Sequence, residues 1–103
     1  MPNAGTVLAA AARIEAELRR LGWWSAEPPP REAFDFVRPF AMDTLAFSQW
    51  LQWVFLPRVR EAAEAEAFPS ESHVAAQAVR EYDGVPEASD LISRLTDFDA
   101  LFG

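Results

Sequence analysis

The chain has no cysteine and no lysine, one histidine, and four glycines that never stand together. Each absence removes a class of function. Without cysteine there is no disulfide framework, no thiolate nucleophile and no thiolate zinc site, a composition that suits a reducing compartment. The lone histidine, His73, has no carboxylates at metal-ligand spacing beside it and reads as an ordinary exposed side chain. Gly5, Gly22, Gly84 and Gly103 form no phosphate-cradling loop, and no serine stands in a nucleophile elbow. The longest apolar window, Thr44 to Pro57, contains two glutamines and falls short of the ~18 residues a membrane span requires. Met1 to Gly5 lacks the positive region of a secretory signal. A cytoplasmic location with no membrane partner is expected.

What is present argues for folding. Half of the 103 residues are hydrophobic and 13% are aromatic, enough to bury a modest single core, so one domain spanning 1–103 is expected. All nine basic residues are arginine, and the net charge of −7 is unevenly placed. Residues 1–60 carry seven Arg against six acids, whereas 61–103 carry two Arg against ten. Because nucleic-acid affinity rests largely on phosphate neutralisation, direct RNA binding is not expected of so acidic a chain. A local patch of Arg38, Arg58 and Arg60 with stacking aromatics is what an RNA-binding alternative would have to use.

Hydrophobic spacing predicts helices throughout. Asn3 or Thr6 can cap a first helix whose seam is Val7, Ala11, Ile14, Leu18 and Leu21, closed by Gly22. Trp23 and Trp24 then fold back as a lid over the core. Pro28-Pro29-Pro30 is a stiff spacer, followed by at most one helical turn around Arg31 to Phe34. A third helix carries Ala75, Ala78, Val79 and Tyr82 and ends at Gly84; Val85-Pro86 opens the last, with Leu91, Ile92, Leu95, Phe98, Leu101 and Phe102 on one face. The expected fold is all-α, a small antiparallel four-helix bundle with a long proline-containing loop between its first two helices.

The second helix dominates this pattern. From Phe47 to Phe55 the apolar residues Phe47, Trp50, Leu51, Trp53, Val54 and Phe55 fill an arc of roughly 200°, about twice the usual stripe, so this helix needs neighbours on at least two sides. Asp43 and Thr44 precede it and are expected to cap it. Pro57 removes one backbone bond, and a kinked, nearly continuous helix to about Ala67 is expected, with Arg60 and Glu64 paired at i, i+4. Gln49 and Gln52 beside Trp50, Trp53 and Arg58 make either one wet edge of a core helix or a partner surface, since Trp and Arg are favoured interface anchors. A homodimer that hides the aromatic face is a further arrangement. The acid pairs Glu61 with Glu64 and Asp97 with Asp99 read as solvated surface rather than a general acid and base. Neither a catalytic group, a metal nor a cofactor is expected.

The segments Pro39-Phe40-Ala41-Met42-Asp43-Thr44-Leu45 and Gln49-Trp50-Leu51-Gln52-Trp53-Val54-Phe55-Leu56-Pro57-Arg58 resemble the YqcC-like family of small bacterial proteins. The flanking regions are compatible, including the terminal Phe98-Asp99-Ala100-Leu101-Phe102. The resemblance implies an all-helical cytoplasmic protein of unassigned activity, linked by gene neighbourhood and family name to tRNA pseudouridine synthase C. Pseudouridine synthases use an aspartate within a much larger mixed α/β domain, so Asp43 does not inherit that role. The expectation is an accessory protein that binds the synthase through the surface around Trp50, Trp53 and Arg58.

Overall fold

The computed structural model describes residues 2–102, which form an all-α domain of four helical rods with no strand among the described residues. The first rod, α1 (Ala4–Arg20), starts where Asn3 Oδ1 accepts the Thr6 N–H at 2.8 Å. It buries Val7, Ala10, Ala11, Ile14 and Leu18. It stops at Gly22, whose φ of 77° lets the Gly22 amide reach Arg19 C=O and the Trp23 amide reach Leu18 C=O at 2.9 Å, satisfying two end carbonyls. Trp23 then stacks on Tyr82 at 5.0 Å, and Trp24 lies under the Arg19 guanidinium at 4.6 Å. Both indoles pack against the core as the expected lid.

The loop contains two single turns, Arg31–Phe34 and Pro39–Ala41. In the second, Phe40 and Ala41 take φ of 57° and 54°, a left-handed conformation that costs an L-residue about 1–2 kcal/mol. Burial offsets it: Ala41 has no exposed surface, and the Phe40 ring meets Trp50 edge-on at 4.9 Å. Here the capping expectation fails. The long helix begins at Phe47 with Ala46 as its N-cap residue. The Leu45 amide bonds Ala41 C=O at 2.8 Å, a turn that aims Asp43 back at the loop. Asp43 accepts the amides of Val37 and Arg38 at 3.2 and 3.4 Å, and Thr44 Oγ1 donates to Ala33 C=O at 2.6 Å. Desolvation pushes the Asp43 carboxyl up, but those amides, its own N–H and the Arg38 charge outweigh it and hold the group below the usual carboxylate range.

From Phe47 the second rod runs without a break as α2 (Phe47–Trp50), a π turn (Leu51–Phe55) and α3 (Leu56–Ala65). Pro57 explains the π turn, because an ordinary helix would press the ring against Trp53 C=O while offering it no N–H. Widening the turn lets Leu56 N–H bond Leu51 C=O instead. The near-continuous helix is therefore present. It ends at Ala65, two residues short of the expected Ala67, because Glu66 adopts φ of 52° and the Ala67 amide folds back to Ala62 C=O at 3.0 Å. Arg60 does not pair with Glu64; it reaches Glu15 on α1 at 2.8 Å.

The remaining rods are α4 (Val74–Glu81) and, after a turn at Pro86–Ala88, α5 (Ser89–Ala100). α5 packs on both α1 and α4, and α1 packs on α3. Ile14, Leu18, Leu51, Leu56, Leu91 and Leu95 meet at the centre with no exposed surface. Tyr82 closes the aromatic layer against Trp23 and Phe47, with its hydroxyl buried. Burial, then the charge of Glu81, push that phenol up to about 12 against a smaller opposing pull from Ser48. The unfolded chain ionises near pH ~10, so the unfolded state loses its proton first and stability falls between about pH 10 and 12. Melting temperatures followed across that window should decline, and Tyr82→Phe should flatten the decline.

Candidate functional site

The five residues expected to form a partner surface separate once folded. Trp50 lies inside, 8% exposed, between Phe40, Phe47 and Phe55 with ring centroids at 4.9, 5.7 and 5.4 Å. Gln52 is 5% exposed and grips Ser25 from both sides: its Oε1 accepts the Ser25 amide at 2.8 Å, and its Nε2 donates to Ser25 C=O at 2.7 Å. That amide ties the segment after Trp24 to the long helix. Gln49 Oε1 accepts the Ala46 N–H at 2.8 Å and braces the start of α2. Trp50 and Gln52 thus leave the expected surface, because each finds its partners within the chain.

Trp53 and Arg58 stay together. With Phe34, Phe36, Pro57 and Glu61 they line an open groove of about 350 Å³ between the loop and the long helix. Trp53 is half-buried, and its indole N–H has no acceptor among the described residues, an omission that costs about 1–3 kcal/mol. Arg58 is exposed and makes no ion pair among the described residues. Phe34, on the opposite bank, is 37% exposed, a large ring left partly in water. The arrangement offers aromatic faces and one free guanidinium in a concave strip. It suits the recognition of a partner's apolar and acidic groups.

The even spacing of Phe34, Phe36 and Phe40 suits a loop pinned on the bundle by its aromatics and does not single Phe34 out for this groove. A ring left uncovered beside a proline spacer is the available signal. Asp99 also departs from the solvated-surface expectation. Its carboxylate accepts Ser72 Oγ–H and the Val74 and Ala75 amides at 3.1 and 2.7 Å, capping α4 from the end of α5. No local pattern announces a cap held 24 or 25 residues away. His73 is exposed beside Glu71 at 3.4 Å. Of the RNA patch, Arg60 is paired with Glu15 on α1.

These features define a small all-helical protein whose signature residues mostly hold its own loop in place, with one aromatic and arginine groove facing outward. No described helix is long and apolar enough to cross a membrane. Residues 6–101 match the family described as tRNA pseudouridine synthase C (DUF446), and the chain belongs to that family. It is 32% identical over 96 residues to the uncharacterized protein YqcC of Escherichia coli K12, covering 86% of this chain and 84% of that one. It is 30% identical over 93 residues to an uncharacterized protein of Haemophilus influenzae, covering 86% and 85%. The solution structure of Escherichia coli YqcC superposes with a TM-score of 0.87 at 29% identity, over 99% of this chain and 89% of the other. A further similarity, 45% identity over 53 residues, is to a protein of Pectobacterium carotovorum named tRNA pseudouridine synthase C; it spans 52% of this chain but only 14% of that protein.

Proposed function

We propose that this chain is a non-catalytic cytoplasmic accessory protein that binds a tRNA pseudouridine synthase through the groove formed by Trp53, Phe34 and Arg58. The observation that carries the reading is the Pectobacterium similarity. A segment like half of this chain makes up a small part of a protein bearing the synthase name, and the great majority of that protein lies outside the match. A module joined to an enzyme in one chain and separate in another is expected to keep the contact by docking. The groove supplies a surface of suitable chemistry, with two aromatic anchors and an unpaired arginine. The polar side chains of the signature support a structural rather than chemical role, since Asp43, Thr44, Gln49 and Gln52 are each engaged with backbone groups of this chain. The RNA-binding alternative is weakened by the pairing of Arg60 with Glu15.

Co-expression of this chain with the synthase of the same genome, followed by affinity capture, tests the reading. A stable complex is expected, and a Trp53→Ala, Arg58→Ala double variant should weaken it by about tenfold or more, the usual loss when interface anchors are truncated. The variant's melting curve would show that it still folds. Absence of a complex at tens of micromolar of each protein would end the proposal. A gel shift of tRNA by this chain alone, weakening steeply with salt, would favour the RNA-binding alternative instead.

A further inference from the structure

A second concave feature lies on the other side of Arg58. Val7 of α1, Phe55 of the π turn, Val59 and Ala62 of α3, Phe98 of α5 and Phe102 just beyond it line a half-open pocket of about 160 Å³, whose lining Phe68 and Pro69 complete. Its walls are almost wholly apolar. The polar residues lining it are Arg58 and Ser72, and the Ser72 hydroxyl is already donated to Asp99. Arg58 is left as the available polar group, an exposed side chain with no ion pair among the described residues.

We propose that this cavity is a binding site for a compact aromatic or branched aliphatic monocarboxylate, the apolar group entering among Phe55, Phe98 and Phe102 and the carboxylate pairing with Arg58. Three physical features select that class. An apolar pocket of about 160 Å³ has room for a benzene-sized group, so a single six-membered ring fills it. Lined with phenylalanine and valine, it offers nothing to a sugar or nucleotide, whose hydroxyls would lose their water without replacement. A guanidinium at the edge of an apolar site pairs with a carboxylate through two parallel hydrogen bonds. The site shares Arg58 with the proposed docking groove, but it requires no protein partner and lies on the opposite bank of Arg58 from Trp53 and Phe34.

The test is titration of the isotope-labelled full chain with phenylacetate and with its neutral isostere phenylacetamide, followed by amide NMR. Phenylacetate should shift the Val59, Ala62 and Phe98 amides saturably, with a Kd on the order of 1 mM for so small a ligand. Its binding should be about threefold tighter than that of phenylacetamide, the advantage of a partly solvated ion pair. Arg58→Gln should erase the difference between the two ligands, and Ala62→Leu, which fills the cavity, should abolish binding of both. Three results would each overturn the proposal: no saturable shift at these positions in the wild-type chain, equal affinity for the acid and the amide, or shifts centred on Trp53 and Phe34. The comparison of the two ligands in the unaltered chain decides the matter even if the filled variant does not fold.

Discussion

Leu51→Ala is expected to lower the unfolding free energy by about 3–5 kcal/mol, the range for a leucine removed from a core that cannot close around the loss. Leu51 has no exposed surface and opens the π turn, whose carbonyl is held by Leu56 N–H, so the backbone there is poorly placed to collapse inward. Domains of this size are stable by only about 5–15 kcal/mol, and the melting temperature should drop by roughly 10–25 °C. Urea unfolding of the two proteins measures the difference. A change comparable to that of a surface substitution such as Val79→Ala, where the side chain is 55% exposed, would mean that the long helix is not the centre of the domain.

The second large effect belongs to Asp99. Asp99→Ala removes the acceptor of the Ser72 hydroxyl and of the Val74 and Ala75 amides together. Loss of a helix cap costs about 0.5–2 kcal/mol and loss of a hydrogen bond to a charged group about 1.5–3, so an overall loss of about 2–3 kcal/mol is expected. The eight-residue α4 is too short to hold itself together and depends on this anchor. Amide exchange should accelerate first in Val74–Glu81, with α1 following only through the global loss of stability. Asp99→Asn, which keeps one carbonyl acceptor, should cost about half as much.

These two residues mark what the sequence could and could not disclose. Helical spacing alone places Leu51 in the core, as it does the α1 seam and the apolar face of α5, and Gly22 directly after that seam marks its end. Each of those signals is local, carried by neighbours three or four positions apart. The signature glutamines were ambiguous because an amide on an aromatic helix is wet or dry according to what lies opposite. Ser25, which settles the matter for Gln52, is 27 positions away. Asp43 misled for a related reason: a carboxylate ahead of a helix has the right chemistry both for capping it and for bracing a neighbouring loop. The turn at Ala41 to Leu45 decided between them. Pro57 signalled an interruption but could not say that the helix would absorb it by widening at Leu51–Phe55. Of the expected surface, Trp53 and Arg58 kept their places, and the groove became visible only when Phe34 arrived from across the loop.

On the proposed reading, one helix is both scaffold and docking edge. Its inner side, with Trp50, Leu51, Phe55 and Leu56, organises the core, while Gln52 and Gln49 fix the loop and the helix start. That leaves the backbone of Trp53 and Arg58 fixed on a rigid element, so the entropy lost on binding is that of the side chains, chiefly the exposed Arg58.

Most directly, the account is tested by following the tryptophan indole N–H resonances of the labelled chain while the tRNA pseudouridine synthase of the same genome is added. The Trp53 indole and the Phe34 amide should shift and saturate together, with the Trp50 indole unmoved behind Phe40 and Phe47. Saturating shifts confined to the acidic face of α5 at Asp90 and Asp97, or no shifts at all, would contradict it.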